Sequence, residues 1–244
     1  MAETKKILVL GASGLIGRHV TDDLRARGFA VIGVARRFSS SQKASALNLE
    51  MPLLALDSAA LARLIADHGI DLVVNCIGLL QDGPGSDVAA VHRDFVARLL
   101  RAIGDCGRPI RLVHISIPGA ATEDRTAFSA TKREAERLIA ASGVAYAILR
   151  PGFVIAPSAY GGSAMVRALA ALPLQLPAAE ASKPFQPVMI EDIAATIAWL
   201  AACDIGDRRA DAVVWDLMQQ PPITLTPQSA NSAIILAKGS ASSG

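Results

Sequence analysis

Apolar residues fall along this chain in two alternating patterns. Short runs rich in branched side chains, such as Ile7-Leu8-Val9-Leu10 and the stretches 30–35, 53–56, 72–76, 111–116 and 145–149, read as strands. Between them apolar positions recur at helical spacing. Leu15, Ile16, His19, Val20 and Leu24 share one helix face that stops at Gly28, and further helices follow over 58–68, 87–103 and 128–141. Strands and helices in strict alternation, joined by right-handed crossovers, predict an α/β fold: a Rossmann-type doubly wound parallel sheet. Past Pro151 the pattern loosens into Pro- and Gly-rich connections, with helices over 163–172 and 191–202 and a late strand over 212–217. This part reads as a small C-terminal, substrate-side lobe. Residues 1–218 form one domain in this reading, and 219–244, where periodicity gives way to Ser, Ala and Gly, form an irregular tail.

The first strand breaks into Gly11-Ala12-Ser13-Gly14-Leu15-Ile16-Gly17 and then into a helix. A tight turn is needed at Gly11, close backbone approach at Gly14 and helix-on-strand packing at Gly17, which is the pattern of a cradle for a dinucleotide pyrophosphate. The unpaired N–H groups at the start of the helix would face the phosphates.

Composition narrows the classes. With 52% hydrophobic but only 4% aromatic residues, the core must be built from Ala, Leu, Ile and Val, as buried parallel strands require. A net charge of +2 without a basic cluster interleaved with aromatics argues against a nucleic-acid partner. Cys76, Cys106 and Cys203 are odd in number, widely spaced and set among apolar neighbours, so they read as buried thiols of a reducing compartment, neither disulfides nor metal ligands. No signal peptide and no run of bilayer-spanning length is found, and a cytoplasmic protein is expected.

The Gly11 to Gly17 turn, Asn75-Cys76-Ile77-Gly78, Ser116, the helix carrying Lys132 and Arg150-Pro151-Gly152 together resemble the short-chain dehydrogenase/reductase superfamily over about residues 5–217. The chain is most similar to the atypical, extended branch that includes epimerase/dehydratase-like proteins and the accessory nucleotide-binding subunit of respiratory complex I. The stretch 159–173 resembles bacterial members that often continue into a membrane-embedded domain. That resemblance implies a membrane-domain or respiratory-type partner, with a small-molecule substrate that the sequence leaves unidentified.

Cofactor choice is read after the second strand, where Arg36 and Arg37 stand in place of an acidic residue. Guanidinium forks match a 2′-phosphate, favouring NADP(H), with NAD(H) as the alternative. Asp57, taken to end the third strand, resembles the residue that contacts the adenine, and is equally well explained as a helix N-cap. The resemblance implies that Asn75, Cys76, Ile77 and Gly78 run along the cofactor ribose and that Pro151, Gly152 and Phe153 pass the nicotinamide. For Asn75 a turn-satisfying role is the alternative, and Cys76 also reads as core. His92 stands where relatives commonly carry a supporting Asn, or is a plain helix-surface histidine. His114, pointing to the same side of its strand as Ser116, reads as a satisfied core histidine.

The departure lies in the catalytic motif. The family uses Tyr-x-x-x-Lys after a strand-end Ser; here the residues are Ser116 and Phe128-Ser129-Ala130-Thr131-Lys132. A phenyl ring cannot pass a proton. Ser116 could still orient a substrate carbonyl and Lys132 still bind the nicotinamide ribose, or Lys132 belongs to a solvated charged run. Tyr160, in a glycine-flanked loop, is the candidate replacement donor, with a loop aromatic covering the core edge as its alternative. The expected function is a weak or specialised NAD(P)-dependent oxidoreductase. The alternatives are a non-catalytic dinucleotide-binding regulatory, redox-sensing or assembly module and, less favoured, a sugar-nucleotide epimerase or dehydratase.

Overall fold

The computed structural model of the chain describes residues 4–43, 45–79, 87–120, 122, 126–157, 182–207 and 209–224. The helix expected over 163–172, the stretch 159–173 and Tyr160 lie outside these residues.

Seven strands form one parallel sheet in the order β3-β2-β1-β4-β5-β6-β10. They are β1 Lys6–Leu10, β2 Ala30–Ala35, β3 Asn48–Glu50, β4 Leu72–Asn75, β5 Arg111–Ile115, β6 Ala145–Pro151 and β10 Val213–Leu217. From β1 the chain winds outward through β2 and β3, and from β4 it winds the other way, so the direction reverses between β1 and β4. There Leu10 lies opposite Asn75 in register, which sets the ends of the Gly11 turn and the Asn75 loop side by side. Ligands of open α/β sheets bind at the carboxyl edge at such a switch point.

Both faces are covered. Helices α1 Leu15–Ala26 and α6 Ile190–Ala202 bring Val20, Leu24, Ile193 and Ile197 onto Ile7, Val9 and Val113. On the other face α3 Ser58–Asp67, α4 Phe95–Asp105 and α5 Ala127–Ala140 bring Leu61, Phe95, Leu99 and Ile139 onto Leu8, Leu10 and Leu112. Alternate strand residues serve opposite faces, which is why the strands read as unbroken apolar runs. A short helix, α2 Ser40–Lys43, lies between β2 and β3.

The run at 53–56 is not the third strand. Leu53–Ala55 forms a 3₁₀ turn after Pro52 and buries Leu53, while β3 is the polar edge segment Asn48–Glu50. An edge strand of three residues with water beside it needs no apolar run, so periodicity passes it over. Asp57 accordingly ends no strand. Before α4 the helical path widens into a π turn, Ala90–Asp94, that carries both Val91 and His92 inward.

Beyond β6 lie β7 Phe153–Ile155, β8 Pro184–Phe185 and β9 Pro187–Met189, with β7 and β9 paired in parallel. The chain also does not leave the fold at Gln219 as expected. The Gln219 N–H donates to Pro187 O at 2.8 Å, and β11 Ile223–Thr224 pairs antiparallel with β8.

At the amino end of β5, Arg111 is 1% exposed. It donates to Asp211 Oδ1 at 2.7 Å and to the carbonyls of Leu200, Cys203 and Asp204 at 2.6, 2.9 and 2.6 Å. The guanidinium thus closes the carboxyl end of α6, whose last carbonyls have no helical partners. Among the described residues no helix is long and apolar enough to cross a membrane, and no cluster of His, Cys, Asp or Glu could hold a metal ion. The three cysteines are free and half-buried.

Candidate functional site

Three glycines shape the turn after β1, each for a different reason. Gly11 sits at φ +80°, and a Cβ there would lie 3.1 Å from the Cys76 carbonyl carbon and 3.2 Å from Ile77 N. Gly17 packs so closely on the turn that a Cβ would run into Gly11 O and stand 2.8 Å from its carbonyl carbon. Gly14 is exposed at the N-cap of α1, with only Gly11 O, 3.3 Å away, near its missing Cβ. The space at Gly14 opens outward. No side chain caps α1, and its first turn carries no acidic residue. An exposed Ser13 and half-buried Leu15 and Ile16 flank this N-terminus, which suits an anionic diphosphate.

At the carboxyl end of β2, Arg36 and Arg37 are exposed. Beside them Glu50 accepts from the Phe38 N–H at 2.7 Å and pairs with Lys43 at 3.1 Å. The Phe38 N–H, then Lys43, hold the Glu50 carboxyl below its ordinary range. Asp57 caps α3, its carboxylate accepting from Ala60 N at 2.7 Å. Replacing Asp57 by Ala should therefore cost about 1 kcal/mol in chemical denaturation. Unchanged dinucleotide affinity in that variant would assign Asp57 to the cap alone.

The loop after β4 is tied down from beneath. Asn75 Oδ1 accepts from Ile77 N at 3.1 Å, so its amide donates to His114 Nδ1, also at 3.1 Å. That arrangement leaves the proton on His114 Nε2, which is buried without a partner among the described residues. His92 is 1% exposed, not a surface histidine. Its Nε2 accepts from Leu79 N at 3.1 Å, and its Nδ1 therefore donates to Thr131 Oγ1 at 3.0 Å. Thr131 in turn lies 2.7 Å from Ala127 O. His92 thus fastens the loop to α5, and burial, then Lys132, pull its pKa down to about 3, so the ring is neutral.

On α5, Phe128 and Lys132 lie one turn apart. The Phe128 ring meets the edge of His92 with centroids 5.4 Å apart. Lys132 is 4% exposed, and its Nζ donates to Ile115 O at 2.8 Å near exposed Gly78, where a Cβ would lie 3.9 Å from Nζ. Burial pulls the Lys132 ammonium down to about 8, against the opposing pull of Cys76 and Glu136. Burial pushes the Cys76 thiol up to about 12, which leaves it unreactive.

The charged run from Lys132 to Arg137 is not a solvated face: Lys132, Arg133 and Glu136 are all buried. Glu136 takes Arg150 at 2.6 Å and Arg133 at 3.1 Å. Burial favours its neutral form, but the two guanidiniums outweigh that and hold the carboxyl below its ordinary range. Arg133 also donates to the carbonyls of Ile117, Pro118 and Gly119, fixing the loop after Ser116. The Ser116 hydroxyl is buried beside Glu136 and helps hold that carboxyl below its ordinary range.

Pro151, Gly152 and Phe153 pass from β6 into β7. A Cβ on Gly152 would run into Gln186 O and stand 3.0 Å from Met218 Cβ, so its bareness is explained by packing within the protein. Phe153 rests against Phe185 at 5.2 Å between centroids. A cleft of about 500 Å³ opens at the opposite, amino-terminal edge of the sheet, lined by Lys5, Asp71, Arg108 and Asp204. Those charges pair with one another, and the cleft lies far from the cradle.

The structure therefore brings the glycine cradle, the Asn75 to Gly78 loop, Ser116 and Lys132 to one carboxyl edge, with Arg36 and Arg37 at the end of β2. Sequence reasoning missed the buried roles of His92, Thr131, Arg133 and Glu136. The four-residue step from Lys132 to Glu136, which repeats the step from Phe128, was the available signal.

Residues 7–208 match the model of the NAD dependent epimerase/dehydratase family. A 110-residue stretch is 30% identical to a dTDP-6-deoxy-L-talose 4-dehydrogenase (NAD(P)(+)) of Kitasatospora kifunensis, covering 45% of this chain and 34% of that protein. The chain thus spans about a third of the curated relative it matches. Among solved structures, the UDP-glucose 4-epimerase of Thermus thermophilus in complex with NAD superposes with a TM-score of 0.71 at 19% identity, over 96% of this chain and 83% of the other. WbmG of Bordetella bronchiseptica, in complex with NAD and UDP, gives 0.75 at 16%, over 97% and 80%. At these identities the superpositions establish the fold.

Proposed function

Because the chain belongs to the NAD dependent epimerase/dehydratase family, with an extended short-chain dehydrogenase/reductase-type Rossmann fold, we propose that it binds a nicotinamide dinucleotide across the β1/β4 switch point. In this reading it carries out oxidation or reduction at a carbonyl or alcohol carbon. One observation carries it: the open, uncapped start of α1 and the buried Lys132 are joined by the same short loop, Asn75 to Gly78. Gly11, Ser13, Gly14 and Gly17 would hold the pyrophosphate, and Arg36 and Arg37 a 2′-phosphate. Asn75, Cys76, Ile77 and Gly78 would line the ribose. The dinucleotide, when bound, supplies or accepts hydride. This chain's part is to exclude water with the loop after Ser116 and to place donors beside the reacting oxygen. Relatives whose names carry UDP- and dTDP-linked sugars support a nucleotide-linked sugar as the first substrate class to try.

A second reading, a dinucleotide-binding module without turnover, is favoured by Phe128, which offers no proton. Calorimetric titration with NADPH and NADH, followed by a turnover screen of wild type and Phe128→Tyr, separates the two. We expect NADPH to bind about tenfold more tightly than NADH, a margin that disappears in the Arg36→Ala/Arg37→Ala variant. Equal affinities would remove the 2′-phosphate reading, and binding of neither would remove the proposal. Turnover in Phe128→Tyr alone would establish the module.

A further inference from the structure

The two edges of the seven-stranded sheet are unlike. At one end β3 offers three residues, and Glu50 there is tied to Lys43. A short, charged edge of that kind discourages further strands from adding. At the other end β10 is five residues long, contains neither Pro nor Lys, and among the described residues pairs with β6 alone. Strand alternation sorts its peptide groups. The Leu217 carbonyl accepts from Gly152 N at 2.9 Å and so faces β6, as do the peptide groups of Val213 and Trp215 by the period of two. Those of Val214 and Asp216 therefore point away from the sheet, where no described residue meets them. Such an open row of donors and acceptors is a template for another strand.

The side chains around this edge are apolar. Val214 is 44% exposed, and Trp199, on α6, is 42% exposed. The Trp199 ring rests against that of Trp215 with centroids 5.8 Å apart, while Val213, Trp215 and Leu217 lie half-buried along that same face. The chain has two tryptophans, and both stand here. The one carboxylate of the strand, Asp216, has the Arg150 guanidinium 3.9 Å away.

We infer that β10 is the edge through which two copies of this chain associate, pairing antiparallel across a twofold axis so that one sheet, with seven strands from each, runs through both subunits. The inference stands apart from the dinucleotide reading. A second copy is the occupant because the outward groups are complementary to themselves. In an antiparallel pair, outward-facing residues must oppose one another to exchange both hydrogen bonds. Setting Asp216 against its own copy would bring like charges face to face. Setting Val214 against its own copy would draw Ala212 into the ladder opposite Asp216, and Ala212 sits at φ +57°, outside the strand region. The remaining register places Val214 of each copy opposite Asp216 of the other, with both hydrogen bonds made at each pair. The twofold axis then passes through Trp215, which meets its own copy in a non-hydrogen-bonded pair, the closer of the two kinds. Aromatic pairs are favoured there, and Trp199 of each copy lies alongside. A surface that answers itself about an axis is what an isologous dimer requires.

Sedimentation velocity of the full chain from about 1 to about 100 μM, with residue-resolved amide hydrogen exchange at both ends of that range, tests the inference. Dimers with a Kd in the micromolar range or tighter are expected, and tryptophan emission should move to shorter wavelength as they form. The amides of Val214 and Asp216 should exchange slowly in the dimer and freely in the monomer, whereas that of Trp215, bonded to β6, stays slow in both. Val214→Pro removes an outward N–H and nothing that β6 uses, so Kd should rise at least about thirtyfold. Val214→Lys, a charge on the open edge, should act in the same direction and carries the test if the Pro variant fails to fold. A monomer across the whole range would overturn the inference. So would a dimer that both Val214 variants leave intact, since its interface would lie on another face. Slow exchange of the Val214 and Asp216 amides in a chain that sediments as a monomer would overturn it as well, because another segment of the same chain would then cover the edge.

Discussion

Gly17→Ala is expected to lower stability by about 1–3 kcal/mol and to abolish measurable dinucleotide binding, whereas Gly14→Ala should weaken binding and leave stability nearly unchanged. The contrast follows from what each missing Cβ would meet. At Gly17 it would run into Gly11 O and stand 2.8 and 3.0 Å from the carbonyl carbon of Gly11 and the Cα of Ala12. Backbone cannot turn aside as a side chain can. The helix must back away from β1, and the N–H groups at its start move with it. At Gly14 the backbone is extended, φ −73° and ψ 173°, which Ala adopts freely, and the nearest atom is 3.3 Å away. What an added methyl would obstruct there is a ligand. Urea denaturation and calorimetric titration of the two variants check both halves, and equal stability losses would mean that Gly14 also serves packing.

Replacing Arg111 by Met is expected to cost about 3–5 kcal/mol, a large fraction of the 5–15 kcal/mol that holds a typical domain folded. Met fills similar volume but leaves Asp211, 16% exposed on its side chain, and three carbonyls at the end of α6 without their shared donor. Arg111→Lys should recover only part of the loss, since one ammonium cannot reach all four acceptors in the plane of a guanidinium fork. The site lies at the opposite edge of the sheet, so whatever remains folded should bind dinucleotide as wild type does. A loss under about 1 kcal/mol in chemical denaturation would show that α6 closes without the clamp.

The strands β1, β2, β4, β5 and β6 were legible because each is sandwiched between helices and must be apolar on both faces. Sandwiching is a local demand that leaves a continuous run in the chain. β3 was not legible, because Asn48–Glu50 is held by pairing with Gly33, Val34 and Ala35 rather than by burial of its own side chains. The same division runs through the site. Glycines at 11 and 17 announce themselves because no other residue fits, and Gly14 because a side chain there would obstruct a ligand. His92 does not, since a histidine on a helix gives no sign of whether it faces water or, through a π turn, the loop at Leu79.

From the sequence alone came the doubly wound sheet, the cradle after β1, the two arginines after β2 and the phenyl ring in place of a phenol. These follow from periodicity and from residues whose shapes admit few environments. The tertiary structure decided which charges are interior. Arg111, Lys132, Arg133 and Glu136 occur in sequence contexts indistinguishable from a solvated surface, and each is buried by elements that arrive from elsewhere in the chain. Arg111 meets carbonyls some ninety residues away, and Lys132 is roofed by the ends of β4 and β5. Hydrophobic patterning records how a segment faces its own helix or strand. The desolvation and pairing of a charge depend on partners distant in sequence, and only the folded chain brings those partners together.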